Sequence, residues 1–268
     1  MLPSQKKRKR SRRKPRRMKR GIYLLPNLLT TANLFCGFYA IVAAINHDFW
    51  TAAIALLVSC LFDILDGKVA RLTGSISRFG VEYDSLADLV AFGVAPALLV
   101  YLWALEPFGR LGWAAAFLFV ACGALRLARF NVQVDSVSKK HFVGLPIPGA
   151  AAMVATTVLF FYRMGGSGPT KHFLLLAMTY VLGFLMVSSI PYYSFKEFDG
   201  LQRMRFRTLF LVILLLSVIA ARPATMLFTL GLVYVSSGPF GYLYRFYQNR
   251  KQPVTEEAGE PEVLRGKK

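Results

Sequence analysis

The stretch DILDGKVARLTGSISRFGVEYDSLAD, residues 63–88, places four aspartates in a chain that consists largely of apolar segments. Asp63 and Asp66 stand at positions i and i+3, and Asp84 and Asp88 at i and i+4, so each pair shares one face of a helix. An ionised carboxylate in hydrocarbon is costly without a compensating partner. Because Mg²⁺ and Mn²⁺ prefer oxygen ligands, the stretch predicts a divalent metal site in a membrane enzyme that handles phosphates.

Apolar residues dominate the sequence on both sides of that stretch. Of the 268 residues, 55% are hydrophobic, and the mean hydropathy is +0.44. Apolar runs of about 20 residues, the length that crosses a bilayer as a helix, recur along nearly the whole chain. The pattern predicts an all-α, polytopic membrane bundle. Its predicted spans are residues 22–45, 49–71, 81–105, 111–131, 146–163, 171–191, 206–221 and 224–246.

Positive charge is distributed unevenly between the two ends of these spans. With the N-terminus inside, 29 of the 33 Lys and Arg fall on the inner side and 4 on the outer side. Since cytoplasmic loops carry the excess of Lys and Arg, both termini are predicted to be cytoplasmic. The same topology brings all four aspartates to the cytoplasmic side of the inner membrane.

The first twenty residues hold 12 Lys and Arg and no acidic residue. Such a run can bind nucleic acid, but no aromatic residue interleaves it and no nucleic-acid module follows. We therefore interpret residues 1–20 as a disordered cytoplasmic tail that sets orientation and attracts anionic lipid, and expect no nucleic-acid partner. Residues 21–247 are predicted to form the transmembrane catalytic domain, and 248–268 a second disordered tail.

The aspartate motif also contains small residues and one arginine. Gly67 and Ala70 would let a ligand approach the backbone, and Arg71 offers a planar fork that suits phosphate oxygens. The simpler alternative is that these aspartates are solvated helix-end residues paired with nearby Lys and Arg.

The full pattern Asp63-x-x-Asp66-Gly67-x-x-Ala70-Arg71-x8-Gly80-x3-Asp84-x3-Asp88 resembles the signature of the CDP-alcohol phosphatidyltransferases. This resemblance implies a core of six helices, a homodimer, and two divalent ions, Mg²⁺ or Mn²⁺, held by the four aspartates. It also implies that Asp88 acts as general base. The residues it assigns to the CDP group are Pro26, Asn27, Thr30, Asp66, Gly67, Ala70, Arg71 and Gly80.

Three further segments resemble one branch of that family, the integral-membrane phosphatidylserine synthases. They are residues 26–33 (PNLLTTAN), 126–149 with its arginines and the run FVGLPIPG, and 186–196 (MVSSIPYYSFK). The resemblance implies CDP-diacylglycerol and L-serine as substrates, with Arg126, Arg129 and Asn131 holding the serine carboxylate. The arginines alone fit equally well with topology-setting residues that snorkel to headgroups.

Three alternatives remain open on the residues alone. An acceptor such as glycerol 3-phosphate or inositol phosphate would also suit cytoplasmic arginines, because it carries a phosphate. A cation transporter would use the same carboxylates, although no acidic path leads to the outer side. A membrane scaffold that recruits RNA through residues 1–20 is the third.

Overall fold

The computed structural model describes residues 24–74, 77–133, 142–166, 171–192, 217 and 221–251. Within these ranges every regular element is a helix except for one short pair of strands. Seven of the eight predicted spans coincide with helices, and the span predicted at 206–221 lies almost wholly outside the described residues. The elements are α1 (Leu24–Ile45), α2 (Phe49–Thr73), α3 (Arg78–Phe108), α4 (Arg110–Gln133), β1 (Phe142–Val143), α5 (Ile147–Arg163), α6 (Phe173–Val187), β2 (Pro191–Tyr192) and α7 (Pro223–Lys251).

Five of these helices, α1 to α4 and α7, are long and apolar enough to cross a membrane, and α5 and α6 are shorter apolar helices. The prediction of a polytopic helical membrane protein is therefore confirmed. The predicted end of the sixth span at residue 191 is wrong. The helix stops at Val187, because Ser188 turns to extended backbone with ψ of 156°. At the other end, α7 continues to Lys251, so the first residues of the predicted 248–268 tail are helical.

Local capping explains where the two helices that carry the aspartates begin and end. Asp48 caps α2 by accepting a hydrogen bond from Thr51 N at 3.1 Å. The helix ends at Gly74, whose φ of 63° is a left-handed conformation that glycine adopts at little cost. Ser77 then caps α3 by accepting from Gly80 N at 3.0 Å. The link between the two aspartate pairs is therefore short.

The third span is not a uniform α-helix. It is α-helical over Arg78–Asp88 and π-helical over Leu89–Val94, and a second π segment covers Tyr101–Leu105. The span begins earlier and ends later than the predicted 81–105. Asp88 is the last residue before the first π segment, and such segments are frequent at functional sites.

Helix α1 packs against both α2 and α3, whereas α2 makes few contacts with the Arg78–Asp88 part of α3. Helix α1 approaches α3 closely at Gly37, where an added Cβ would lie 2.6 Å from Ala91 Cα. Helix α2 also contacts α3 beyond Asp88, over residues 89–100, so α1, α2 and α3 pack against one another beside the aspartates.

The strand pair joins two distant parts of the chain. Phe142 pairs with Tyr192 and Val143 with Pro191, in antiparallel register. Gly144 follows with φ of 86°, and a Cβ there would clash with the carbonyl oxygen of Met186. Two segments picked out in the sequence, 142–149 and 186–192, are thus held side by side.

Candidate active site

Three of the four aspartates converge. Carboxylate oxygens of Asp63, Asp66 and Asp84 all lie within 4.8 Å of one another. Asp66 is buried, and the other two are half-buried. The two helices thus bring their carboxylates together, as the spacing predicted.

Asp88 is also buried, and it is held separately from the other three aspartates. Its side chain is 9% exposed and accepts a hydrogen bond from Asn33 Nδ2 at 3.0 Å. It also interacts electrostatically with Asp63, Asp66 and Asp84. Asp88 therefore belongs to the same site, but it is not part of the three-carboxylate group. Its predicted role as a metal ligand stays a prediction.

The start of α1 supplies hydrogen bonds to the carboxylates. Thr30 Oγ1 lies 2.9 Å from Asp66 Oδ2 and donates to it. Thr31 shares a hydrogen bond of 2.9 Å with Tyr83 on α3. The segment 26–33 thus fixes α1 to both aspartate-bearing helices. Its predicted contact with the CDP group stays a prediction for Pro26, Asn27 and Thr30.

The site has the donor chemistry that a divalent cation needs. Three carboxylates held within 4.8 Å repel one another unless positive charge lies between them. Asp84 Oδ1 is buried and has no hydrogen-bond partner among the described residues. A buried carboxylate oxygen without a donor is costly, and a bound cation would compensate it. The residues present therefore fit Mg²⁺ or Mn²⁺.

The small residues of the motif differ in what surrounds them. A Cβ on Gly67 would meet nothing within 4 Å, so the backbone there is open to a ligand. A Cβ on Gly80 would lie 3.1 Å from Ser77 Oγ and 3.5 Å from Asn27 Oδ1. Gly67 fits the predicted ligand contact, whereas Gly80 allows α3 to approach the start of α1. Two further predicted CDP-binding residues are the half-buried Ala70 and the exposed Arg71.

The two arginines of α4 occupy different environments. Arg126 is half-buried, and its guanidinium interacts electrostatically with Asp88 and with Tyr234 on α7. Its Nε is buried without a hydrogen-bond partner among the described residues. Arg129 is exposed. Arg126 is thus within electrostatic reach of Asp88, whereas Arg129 lies at the surface of the same helix.

Asn131, the third predicted serine-binding residue, forms a hydrogen bond with α3. Its Nδ2 donates to Ser85 Oγ at 3.0 Å, and Ser85 follows Asp84 directly in sequence. This hydrogen bond ties the C-terminal end of α4 to the carboxylate site.

Sequence reasoning missed residues that reach the site from other helices. Ser59 on α2 donates to Asn33, a residue that the sequence indicates only as the end of the segment 26–33. Tyr234 lies beside Arg126, and its ring centroid is 5.7 Å from that of Tyr192. Tyr192 Oη donates to Val235 O at 3.0 Å, and burial raises the pKa of Tyr192 to about 12. A lone Ser or Tyr in an apolar helix carries no signal that distinguishes it from a packing residue.

The site geometry and the family comparison agree. The family model described as CDP-alcohol phosphatidyltransferase matches residues 23–187, which include all four aspartates and Arg126. This chain belongs to the CDP-alcohol phosphatidyltransferase family. The family match ends before α7, so Tyr234 comes from outside the matched region.

Curated relatives resemble the chain over different lengths. A CDP-diacylglycerol–serine O-phosphatidyltransferase of Helicobacter pylori is 39% identical over 223 residues, covering 83% of this chain and 92% of that protein. A protein of the same name from Bacillus subtilis is 36% identical over 174 residues, covering 65% and 92%. The archaetidylserine synthase of Methanothermobacter thermautotrophicus is 42% identical over 171 residues, covering 63% and 69%.

Proposed function

We propose that this protein transfers a phosphatidyl group from CDP-diacylglycerol to L-serine, producing phosphatidylserine and CMP. The observation that carries the proposal is the convergence of Asp63, Asp66 and Asp84 beside a separately held Asp88, in the pattern of the family. Serine as the acceptor is supported by the relatives, because the bacterial and archaeal names differ in the lipid but share serine. We place the site at the cytoplasmic side of the inner membrane, as the charge distribution predicts.

The three-carboxylate group would hold the divalent cation, Mg²⁺ or Mn²⁺, and the family resemblance implies two ions with Asp88 as a further ligand. When bound, the cation supplies positive charge that offsets the diphosphate and the charge developing on the leaving CMP. Residues of the chain contact the nucleotide and its phosphates. The open backbone at Gly67 admits the nucleotide, and Arg71 offers its guanidinium to phosphate oxygens.

Asp88 would take the proton from the serine hydroxyl as the serine oxygen bonds to phosphorus and the bond from phosphorus to CMP breaks. Arg126 would bind the serine carboxylate, because its guanidinium is half-buried, interacts with Asp88 and has an Nε without a partner among the described residues. Tyr234 would complete this acceptor side from α7. Arg129 would contribute at the exposed entrance, and Asn131 through its bond to Ser85.

CMP release tests the proposal with acceptors offered one at a time. Purified protein is given CDP-diacylglycerol and Mn²⁺ or Mg²⁺, with serine, glycerol 3-phosphate or inositol phosphate. We expect CMP release when serine is the acceptor and none with either phosphorylated acceptor. Release with a phosphorylated acceptor only would keep the carboxylate site and overturn the assignment of Arg126. Mn²⁺ uptake into proteoliposomes without CMP release would favour a transporter.

A further inference from the structure

Asn33 is a buried amide on α1 whose two polar ends contact two other helices. Its Nδ2 donates to Asp88 Oδ1 on α3 at 3.0 Å, and its Oδ1 accepts a hydrogen bond from the Ser59 hydroxyl on α2. The same hydroxyl lies 3.1 Å from the main-chain oxygen of Asn33. Both Asn33 and Ser59 are 0% exposed. Water therefore does not compete for these hydrogen bonds.

The Asp88 carboxylate and the Ser59 hydroxyl together fix the orientation of the Asn33 amide. An amide oxygen can only accept, and the amide nitrogen can only donate. With Oδ1 accepting from Ser59, Nδ2 is the end that faces Asp88. If the amide were reversed, its oxygen would face a carboxylate oxygen, and two acceptors would repel. Ser59 thus acts on Asp88 through Asn33.

The backbone around this network is fitted to it. Gly37 follows Asn33 by one helical turn, and Ala91 follows Asp88 by about one turn. The two helices approach closely at these residues, since a Cβ on Gly37 would lie 2.6 Å from Ala91 Cα. This close approach brings the short side chain of Asn33 within reach of Asp88.

We propose that Asn33 and Ser59 are positioning residues for Asp88. Ser59 holds the amide in place by donating to its oxygen, and the amide nitrogen holds one oxygen of the Asp88 carboxylate, which leaves the second oxygen to take the proton of the acceptor. The inference rests on the proposed function, in which Asp88 is the general base. Neither Asn33 nor Ser59 touches a substrate in this account, so both act on turnover and not on substrate binding.

A purely structural role for the network predicts different kinetics. If the hydrogen bonds only tie three helices together, their loss would loosen the site and raise both KM values along with any fall in kcat. Thr179 provides the matched control. Its hydroxyl is buried, the residue being 0% exposed, and among the described residues it bonds only to Leu175 O of its own helix, at 2.9 Å. Thr179→Val therefore removes a buried hydroxyl without touching Asp88.

The test compares Asn33→Ala, Ser59→Ala and the double variant by CMP release from CDP-diacylglycerol with serine. Asn33→Ala should lower kcat by about 10- to 100-fold, the usual cost of losing a partner that orients a functional group, with both KM values unchanged. Ser59→Ala should lower kcat less. The double variant should equal Asn33→Ala, because Ser59 acts only through Asn33. Ser59→Thr, which keeps the hydroxyl, should recover the rate, and Thr179→Val should match the wild type.

A second measurement does not depend on turnover. The affinity of the three-carboxylate group for its Mn²⁺ ion, read from the electron paramagnetic resonance signal of the free ion, should be the same in Asn33→Ala as in the wild type, because Asn33 bonds to Asp88 and to none of these three aspartates. Loss of Mn²⁺ binding would overturn the inference and make Asn33 a support of the metal site. So would a wild-type kcat in Asn33→Ala, or single effects that multiply in the double variant. A wild type without serine-dependent CMP release would overturn the proposed function itself.

Discussion

Thr30 Oγ1 on α1 donates a hydrogen bond of 2.9 Å to Asp66 Oδ2 on α2, and the same oxygen lies 3.1 Å from Pro26 O. The hydroxyl of Thr30 therefore connects the first turns of α1 to a carboxylate that α2 carries toward the site. Thr30 and Asp66 are both 4% exposed, so this contact is shielded from water. The first helix contributes to the site by orienting carboxylates that other helices supply.

Thr30→Val should lower kcat by about 10- to 100-fold, because Asp66 loses the donor that orients it. Thr31→Val is the control: Thr31 is the next residue, and its hydroxyl contacts Asn27 O and Tyr83 Oη instead of a carboxylate. Steady-state CMP release from both variants checks the prediction. Equal rates in Thr30→Val and Thr31→Val would mean that the hydrogen bond to Asp66 does not affect turnover.

Asp63→Asn, Asp66→Asn and Asp84→Asn should each abolish turnover while the bundle stays folded, because each removes a charged oxygen ligand from the three-carboxylate group. Asp48→Asn is the matched control, since Asp48 caps the opposite end of α2 and Asn caps equally well. The measurement is CMP release across a Mn²⁺ titration, with thermal unfolding in detergent as the folding check. Wild-type rates at limiting Mn²⁺ in any of the three would contradict the metal assignment.

Asp88→Asn should retain CDP-diacylglycerol binding and lose about 10²- to 10⁴-fold in kcat, the usual contribution of a general base. The amide is nearly isosteric with the carboxylate but cannot accept the serine proton. Equilibrium binding of the nucleotide lipid, measured beside CMP release, separates the two effects. If Asp88→Asn fails to bind CDP-diacylglycerol, Asp88 is a ligand of the nucleotide or its metal and not the base.

Arg126→Lys should raise the KM for serine more than the KM for CDP-diacylglycerol, because lysine cannot bind a carboxylate with two parallel hydrogen bonds. Arg129→Lys is the comparison: Arg129 is exposed on the same helix, and its replacement should change both KM values little. Initial rates with each substrate varied in turn give the two constants. A larger rise in the KM for CDP-diacylglycerol would reassign Arg126 to the diphosphate.

Gly144→Ala should destabilise the protein more than Gly165→Ala. Both glycines have positive φ, 86° and 89°, so the backbone cost of alanine, about 1–2 kcal/mol, is common to both. Only at Gly144 would the Cβ also clash with Met186 O, whereas at Gly165 nothing lies within 4 Å. The unfolding temperatures of the two variants in detergent measure the difference. Equal unfolding temperatures would show that the close approach of Met186 O to Gly144 does not add to the cost of the substitution.

Local geometry explains which parts of the site the sequence could predict. The spacing of Asp63 and Asp66, and of Asp84 and Asp88, fixes each pair on one helix face, so their direction follows from helix periodicity. The apolar runs likewise locate the helices. Capping by Asp48 and Ser77 then sets the ends within a few residues of the predicted ones.

Contacts between distant parts of the chain were not predictable in this way. The bond from Asn33 to Asp88 spans 55 residues, and no periodic pattern encodes which helix faces meet. The pairing of Phe142–Val143 with Pro191–Tyr192 also depends on tertiary packing, because two-residue strands have no alternation to detect. Tyr234 lies in an apolar helix, where an aromatic side chain most often packs against neighbours or lipid.

Incorporation of labelled serine into lipid is the most direct test of the proposed reaction. Purified protein in vesicles that contain CDP-diacylglycerol and Mn²⁺ is given radioactive L-serine, with Asp84→Asn as the matched inactive variant. We expect the wild type to form labelled phosphatidylserine in an amount equal to the CMP released, and Asp84→Asn to form no labelled phosphatidylserine. CMP release without labelled lipid, or labelled lipid at the same rate from Asp84→Asn, would contradict it.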